Sequence, residues 1–277
     1  MIEDVFEFLQ EGVTPCHAAA TAAAWLDAAG FTRLEEADYW NLEPGRGYYL
    51  VRGGSAVAAW RVPDHAIGGW RITASHSDSP GWKVKADTVE NDGCRRLSVE
   101  GYGGMNMATW LDRPLTVAGR VLLRTGDGVE TRLVHLDRDL LVIPSLAIHM
   151  QREVNRGHEY NPQIDMQPLW GPAEGRTLTD LLCEELGVAA ADILDRDLQL
   201  VVRQTPARIG PDGEFFLAPR IDDLECAAAT LLAFLDAAAE TDSACAPVWA
   251  MLDNEEVGSS SRQGAQSSFL RDVLDRI

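Results

Sequence analysis

The distribution of apolar positions along the chain predicts an α/β protein interrupted by a β-rich stretch. Near the start, Val5, Phe6, Phe8 and Leu9 form an apolar stripe at helical spacing, and Gly12 closes it. Thr14-Pro15 then reads as an N-cap followed by proline at the first helical position. It opens an alanine-rich helix that runs to Ala29 and is stopped by Gly30. Two strands, Gly47 to Arg52 and Ser55 to Val62, flank Gly53-Gly54, a pair free to take the positive φ of a tight hairpin turn. A third strand, Trp70 to Ser75, leads directly into His76-Ser77-Asp78-Ser79-Pro80.

After Lys85 the pattern changes. From about Ala86 to Pro211 short, alternating, β-branched runs dominate, as at Leu115 to Leu123, Thr131 to Leu136 and Leu198 to Val202. Helical spacing interrupts them at Leu146 to Val154 and Leu178 to Leu186. Gly210-Pro211-Asp212-Gly213 then punctuates the chain. A short strand (Glu214 to Leu217), a long helix (about Leu224 to Ala239), an apolar strand (Pro247 to Leu252) and a helix from about Ser267 follow. The simplest organisation is an α/β domain of residues 1–85 and 212–277 carrying an inserted β-rich domain, 86–211. The last helix gathers Phe269, Leu270, Val273, Leu274 and Ile277 on one face, which predicts a partner surface. No glycine cap, polar tail or return strand follows it, so the chain is expected to be cut short.

Composition narrows the function classes. With 46% hydrophobic and 24% charged residues in 277, the chain is neither disordered nor collagen-like. A formal net charge of −19 argues against binding nucleic acid or an anionic membrane by bulk electrostatics, and is compatible with divalent cations. The five cysteines are scattered and none forms a Cys-x-x-Cys pair, so neither a disulfide framework nor a thiolate zinc site is expected. The acidic N-terminus lacks the basic start of a secretory signal, and the apolar runs are too short to span a bilayer. The chain reads as a reduced, soluble, cytoplasmic protein.

Three places can carry chemistry. His76 and Asp78 lie two apart at a strand end, where side chains i and i+2 share a side. They form either a turn or a metal-bound imidazole oriented by a carboxylate. Asp222 and Asp223 sit where strand gives way to helix: one carboxylate either caps the helix or bridges two metal ions while its neighbour supports it, and at most one of the pair is expected to touch metal. Asp253-Asn254-Glu255-Glu256 arrives at the carboxyl end of an apolar strand, the edge at which open α/β sheets bind ligands. It is either a solvated acidic loop or a pair of glutamates dividing metal ligation from general base catalysis. Together His76, Asp222 and Glu256 offer one nitrogen and two oxygens, a set suited to zinc, manganese or cobalt.

These residues lie in longer motifs. His76-Ser77-Asp78-Ser79-Pro80 is followed by Lys83-Val84-Lys85, Tyr102-Gly103-Gly104, Thr109-Trp110-Leu111-Asp112-Arg113, Ile143-Pro144 and Leu146-Ala147-Ile148-His149. Ala218-Pro219-Arg220-Ile221-Asp222, Asp253 to Ser259, and Gly264-Ala265-Gln266-Ser267 complete the series. In that order, over essentially the whole chain, they resemble the M18 aminopeptidases (aspartyl aminopeptidases). The resemblance implies a zinc-exopeptidase-like three-layer catalytic domain with an inserted dimerisation domain, assembled into a dodecamer. It implies a dinuclear, usually zinc, centre activating a water to release N-terminal, acidic residues from peptides.

Carried over to this chain, His76 would bind one metal, with Asp78 orienting it, and Asp222 would bridge both. Glu256 would bind the other metal, Glu255 would be the general base, and His149 would reach a neighbouring subunit's active site. The resemblance also implies that members run on past Gly264-Ala265-Gln266-Ser267, with a further Asp ligand, a last His ligand and residues recognising the acidic side chain. No histidine follows His158 here, and Asp223 stands where asparagine is usual. An aminopeptidase with a shortened sequence is therefore expected, the alternative being an inactive paralogue serving as an assembly or peptide-binding subunit.

Overall fold

The computed structural model describes residues 1–91, 93–239 and 245–277, which fall into two compact units, 1–79 with 205–277 and 80–204. The chain opens with α1 (Ile2–Glu11) and α2 (Pro15–Ala28). Four strands follow: β1 (Thr32–Arg33), β2 (Gly47–Arg52), β3 (Ala56–Arg61) and β4 (Gly69–His76). The second unit holds β5 (Gly81–Asn91), β6 (Cys94–Tyr102), β7 (Leu115–Thr125), β8 (Gly128–His135), β9 (Leu169–Pro172), α3 (Leu178–Leu186) and β10 (Ile193–Val202). The chain re-enters the first unit with β11 (Ala207–Ile209), β12 (Phe215–Leu217), α4 (Ile221–Ala239), β13 (Cys245–Leu252) and α5 (Phe269–Leu274). Because β5 runs unbroken through Lys85, the second unit begins at Pro80, ahead of the compositional change.

The first unit is a three-layer sandwich. Its mixed sheet has the order β1-β2-β3-β13-β4, with β13 antiparallel to β3 and parallel to β4. On one face Val57, Ala59, Trp249 and Met251 pack against Phe8 and Leu9 of α1, alanines of α2, and Leu224, Leu231 and Phe234 of α4. The small side chains of α2 and β3 permit close approach, and the Trp249 indole N–H donates to Thr230 Oγ1 at 3.0 Å. On the other face Tyr48, Leu50, Trp60 and Val248 meet Phe269 and Val273 of α5. The final apolar helix thus finds its partner within its own unit. Arg52 lies 4.4 Å from the Phe269 ring centroid and Arg276 3.5 Å from that of Trp40, tying it down through cation–π contacts.

The hairpin turn of β2 and β3 has φ +63 at Gly53 and +77 at Gly54, the conformation for which two glycines are suited. α1, α2, α3 and the body of α4 fall where hydrophobic spacing and caps place them; at the start of α4, Asp222 and Asp223 keep non-helical torsions. Among the described residues no helix is long and apolar enough to cross a membrane, and none of the five cysteines is in a disulfide.

The second unit is built on an antiparallel sheet of order β8-β7-β10-β5-β6-β9, packed around Trp82, Leu97, Val117, Leu178, Leu182 and Leu200. The N-terminus of α3 carries a capping box between Thr177 and Asp180, and Asp87 also accepts the N–H groups of Leu178 and Thr179. Because Asp87 shares the load, Thr177→Ala is expected to cost only about 0.5–1 kcal/mol, read as a small fall in the urea midpoint at unchanged slope. The helix expected over Leu146 to Val154 does not form. The segment holds only turns and a 3-10 turn at Val154–Arg156, with Leu146, Ile148 and Met150 exposed. A nine-residue stretch whose apolar side chains stay in water lacks the packing that holds short helices together.

Candidate metal centre

β4 and β13 run parallel and end side by side, with His76 in register with Leu252. The loops that follow them therefore leave from the same carboxyl edge of the sheet, and the start of α4 packs beside them. Asp78, fully buried, joins the two loops. Its carboxylate accepts the backbone N–H of Glu255 at 3.1 Å and that of Glu256 at 3.1 Å. The 255–257 segment is one 3-10 turn entered through Asn254, a left-handed residue at φ +63. Its first N–H groups point outward, so a carboxylate is a natural partner. Ser261 Oγ donates to Asn254 Oδ1 at 2.6 Å and fixes that turn from behind.

The same residue orients the imidazole. His76 Nδ1 lies 2.9 Å from the Asp78 backbone carbonyl and 3.3 Å from its carboxylate. A carbonyl only accepts, so Nδ1 carries the proton and Nε2 is the nitrogen available to a cation. Nε2 faces Asp222 Oδ1 at 3.5 Å, Glu255 Oε2 at 3.8 Å and Asp223 Oδ2 at 3.8 Å. Ligand atoms of His76, Asp222 and Glu256 all lie within 4.8 Å of one another, a spacing that can close on a divalent ion.

The electrostatics suit a cation. Burial pushes the Glu256 carboxyl up, and the negative charge of Asp222 pushes it further. At His76 burial works to lower the imidazole's value. The hydrogen bond that its ring N–H donates to Asp78 and the charge of Asp223 outweigh it and carry it to about 9. Carboxylates gathered round one imidazole favour positive charge among them, supplied by a proton or a metal. The donor set, one imidazole nitrogen and carboxylate oxygens with the imidazole oriented from behind, fits a borderline divalent ion such as zinc.

The structure thus brings His76, Asp78, Asp222, Glu255 and Glu256 to one edge. Asp223, expected only to support its neighbour, has a specific contact: its Oδ2 accepts the backbone N–H of His76 at 3.0 Å. Ser79 has a part that sequence reasoning did not assign: its Oγ donates to the Asp222 carbonyl at 2.7 Å. No local pattern signals either contact, because they span 143 and 147 positions of the chain. His149 belongs to the other unit, in a turn rather than a helix, with its side chain exposed.

Comparison with known proteins gives a consistent picture. The family model described as aminopeptidase I zinc metalloprotease (M18) matches residues 8–277. A probable M18 family aminopeptidase 2 of Streptomyces coelicolor is 41% identical over 283 residues, covering 99% of this chain and 64% of the relative. The mApe1 structure from Chaetomium thermophilum superposes with a TM-score of 0.90 at 30% identity, covering 98% of this chain and 66% of that one. The mApe1 dodecamer of S. cerevisiae superposes with a TM-score of 0.83 at 25% identity, covering 99% of this chain and 65% of that one. The chain spans about two thirds of the length of these relatives.

Proposed function

Because the chain belongs to the M18 family of zinc metallo-aminopeptidases, we propose that it removes N-terminal residues, acidic ones by family resemblance, from peptides at the His76–Asp222–Glu256 centre. The observation that carries this reading is the orientation of His76. Its Nδ1–H is spent on the Asp78 carbonyl, so Nε2 is turned toward the carboxylates of Asp222 and Glu255, with Glu256 part of the same cluster. His76 and Glu256 would each hold one of two divalent ions, with Asp222 shared between them. Ions bound there would polarise the scissile carbonyl and make a water more acidic.

The chain's own residues then divide the work. Glu255 is 56% exposed and within 3.8 Å of Nε2 without belonging to the three-donor set, so it can reach both solvent and the reacting atoms. It takes the proton of the attacking water and passes it to the leaving amine. Asp78 keeps His76 and the Glu255–Glu256 turn in a fixed relation, and Asp223 holds the backbone of His76.

The unit of residues 80–204 serves as the dimerisation domain, and its exposed His149 reaches the site of a neighbouring copy. The dodecameric relative supports this, as do the exposed Leu146, Ile148 and Met150 around His149.

Calorimetric titration with zinc tests the reading. A metal takes a neutral imidazole, so binding below about pH 9 must expel the His76 proton. Close to one proton per chain from this histidine is expected at pH 7.5, measured in buffers of different ionisation heat, and none at pH 10. The apparent affinity rises by up to about tenfold per pH unit toward pH 9 and then levels off. Two ions per chain and release of Asp or Glu from arylamides complete the expected result. Titration without bound metal at any pH overturns it.

A further inference from the structure

We infer that Arg220 is a positioning residue whose guanidinium, lodged against the C-terminal end of α1, holds the turn that presents Asp222 to the metal centre; the inference rests on the metal reading above. Arg220 Nη2 donates to the Leu9 carbonyl at 2.7 Å. That carbonyl lies in the last turn of α1, where oxygens lack donors from their own helix. The Val13 N–H, four residues on, goes instead to the Glu11 carbonyl. A cation at a helix C-terminus also complements the partial negative charge there.

The side chain's own needs are poorly served at this position. Arg220 Nε is buried without a hydrogen-bond partner, and among the described residues Arg220 forms no ion pair. Its backbone is left-handed, with φ +58, a region costly for a residue with a Cβ. A strained backbone and a part-satisfied buried guanidinium in one residue point to something gained nearby.

What lies nearby is irregular chain. Asp222 at φ −80, ψ 111 and Asp223 at φ −115, ψ 16 are outside helical geometry, so ties from side chains fix them. Two of those ties run to the His76 loop: Ser79 Oγ to the Asp222 carbonyl, and the Asp223 carboxylate to the His76 N–H. Arg220 supplies a tie in a different direction, to α1. The three together hold the Asp222 carbonyl and its flanking residues, which leaves an otherwise exposed carboxylate aimed at His76 Nε2.

Co²⁺ binding, followed by its visible absorption and by calorimetry, separates this from a general folding role. Arg220→Gly relieves the positive φ but removes the anchor. It is expected to weaken Co²⁺ binding by about 10–100-fold and to change the spectrum, the range typical of losing a group that orients a ligand. Arg220→Lys keeps a cation and a donor for Leu9 and should stay close to wild type. In an Asp222→Asn background Arg220→Gly should add no further loss, because the residue acts through that carboxylate. If Arg220→Gly does not fold, Arg220→Gln is read in the same cycle. Unchanged Co²⁺ affinity in the folded variant, or an equal loss with and without Asp222, overturns the inference alone. A wild-type chain that takes up no Co²⁺ overturns the metal reading with it.

Discussion

Glu255→Gln is expected to lower turnover of Asp- or Glu-arylamides by about 10³-fold while leaving metal content at the wild-type level. Gln has the same shape as Glu, so the 3-10 turn and its two N–H bonds to Asp78 should survive the change. What disappears is the capacity to accept a proton. The proposed metal donors His76, Asp222 and Glu256 are untouched, because Glu255 lies beside that set rather than in it. A fall confined to kcat marks a group acting in the transition state, whereas a rise in KM alone would mark substrate binding. Metal analysis of the same preparation decides the assignment. If the ions leave with the Glu255 carboxylate, Glu255 is a ligand and the general base must be sought elsewhere.

Much of this candidate site is legible in the sequence. A strand ending in His76-x-Asp78 and another ending in Asp253-Asn254-Glu255-Glu256 deliver polar groups abruptly after apolar runs. Parallel pairing of the two strands then makes one edge of both ends. The helices followed from stripes and caps, since Gly12 and Thr14-Pro15 act on their immediate neighbours. What stayed hidden depends on contacts between distant parts of the chain. The bond from Asp223 to the backbone of His76 spans 147 positions, and that from Arg220 to Leu9 spans 211. No local rule encodes either.

The failed helix at Leu146 to Val154 has the complementary cause. Its spacing is helical, but spacing stabilises a helix only if a surface receives the apolar face. The face of α5 has such a surface in Tyr48, Leu50 and Trp60, and so a six-residue helix persists where a nine-residue pattern does not.

Asp78→Ala is expected to damage folding and metal binding together, by about 2–5 kcal/mol in stability and about 10–100-fold in zinc affinity. The carboxylate is fully buried and is the acceptor for two backbone N–H groups, those of Glu255 and Glu256. Alanine leaves both part-buried N–H groups without this acceptor, and a buried donor without a partner costs about 1–3 kcal/mol. The backbone carbonyl of Asp78 still accepts from His76 Nδ1, so the tautomer is retained while the 3.3 Å contact to the carboxylate is lost. Its hydrogen bond and charge help hold the imidazole near 9, so the His76 value should drop and the proton expelled by metal at neutral pH should become fractional. Asp78→Asn separates the two effects. Its amide oxygen can serve one N–H, but its NH₂ group faces the other, donor against donor, so the 3-10 turn must shift. Stability should then lie between wild type and alanine, with zinc affinity closer to the alanine variant. Chemical unfolding and zinc calorimetry on the three proteins read both quantities. Asn behaving as wild type in both would mean that the carboxylate's charge contributes nothing, and that a single acceptor suffices to join the two loops.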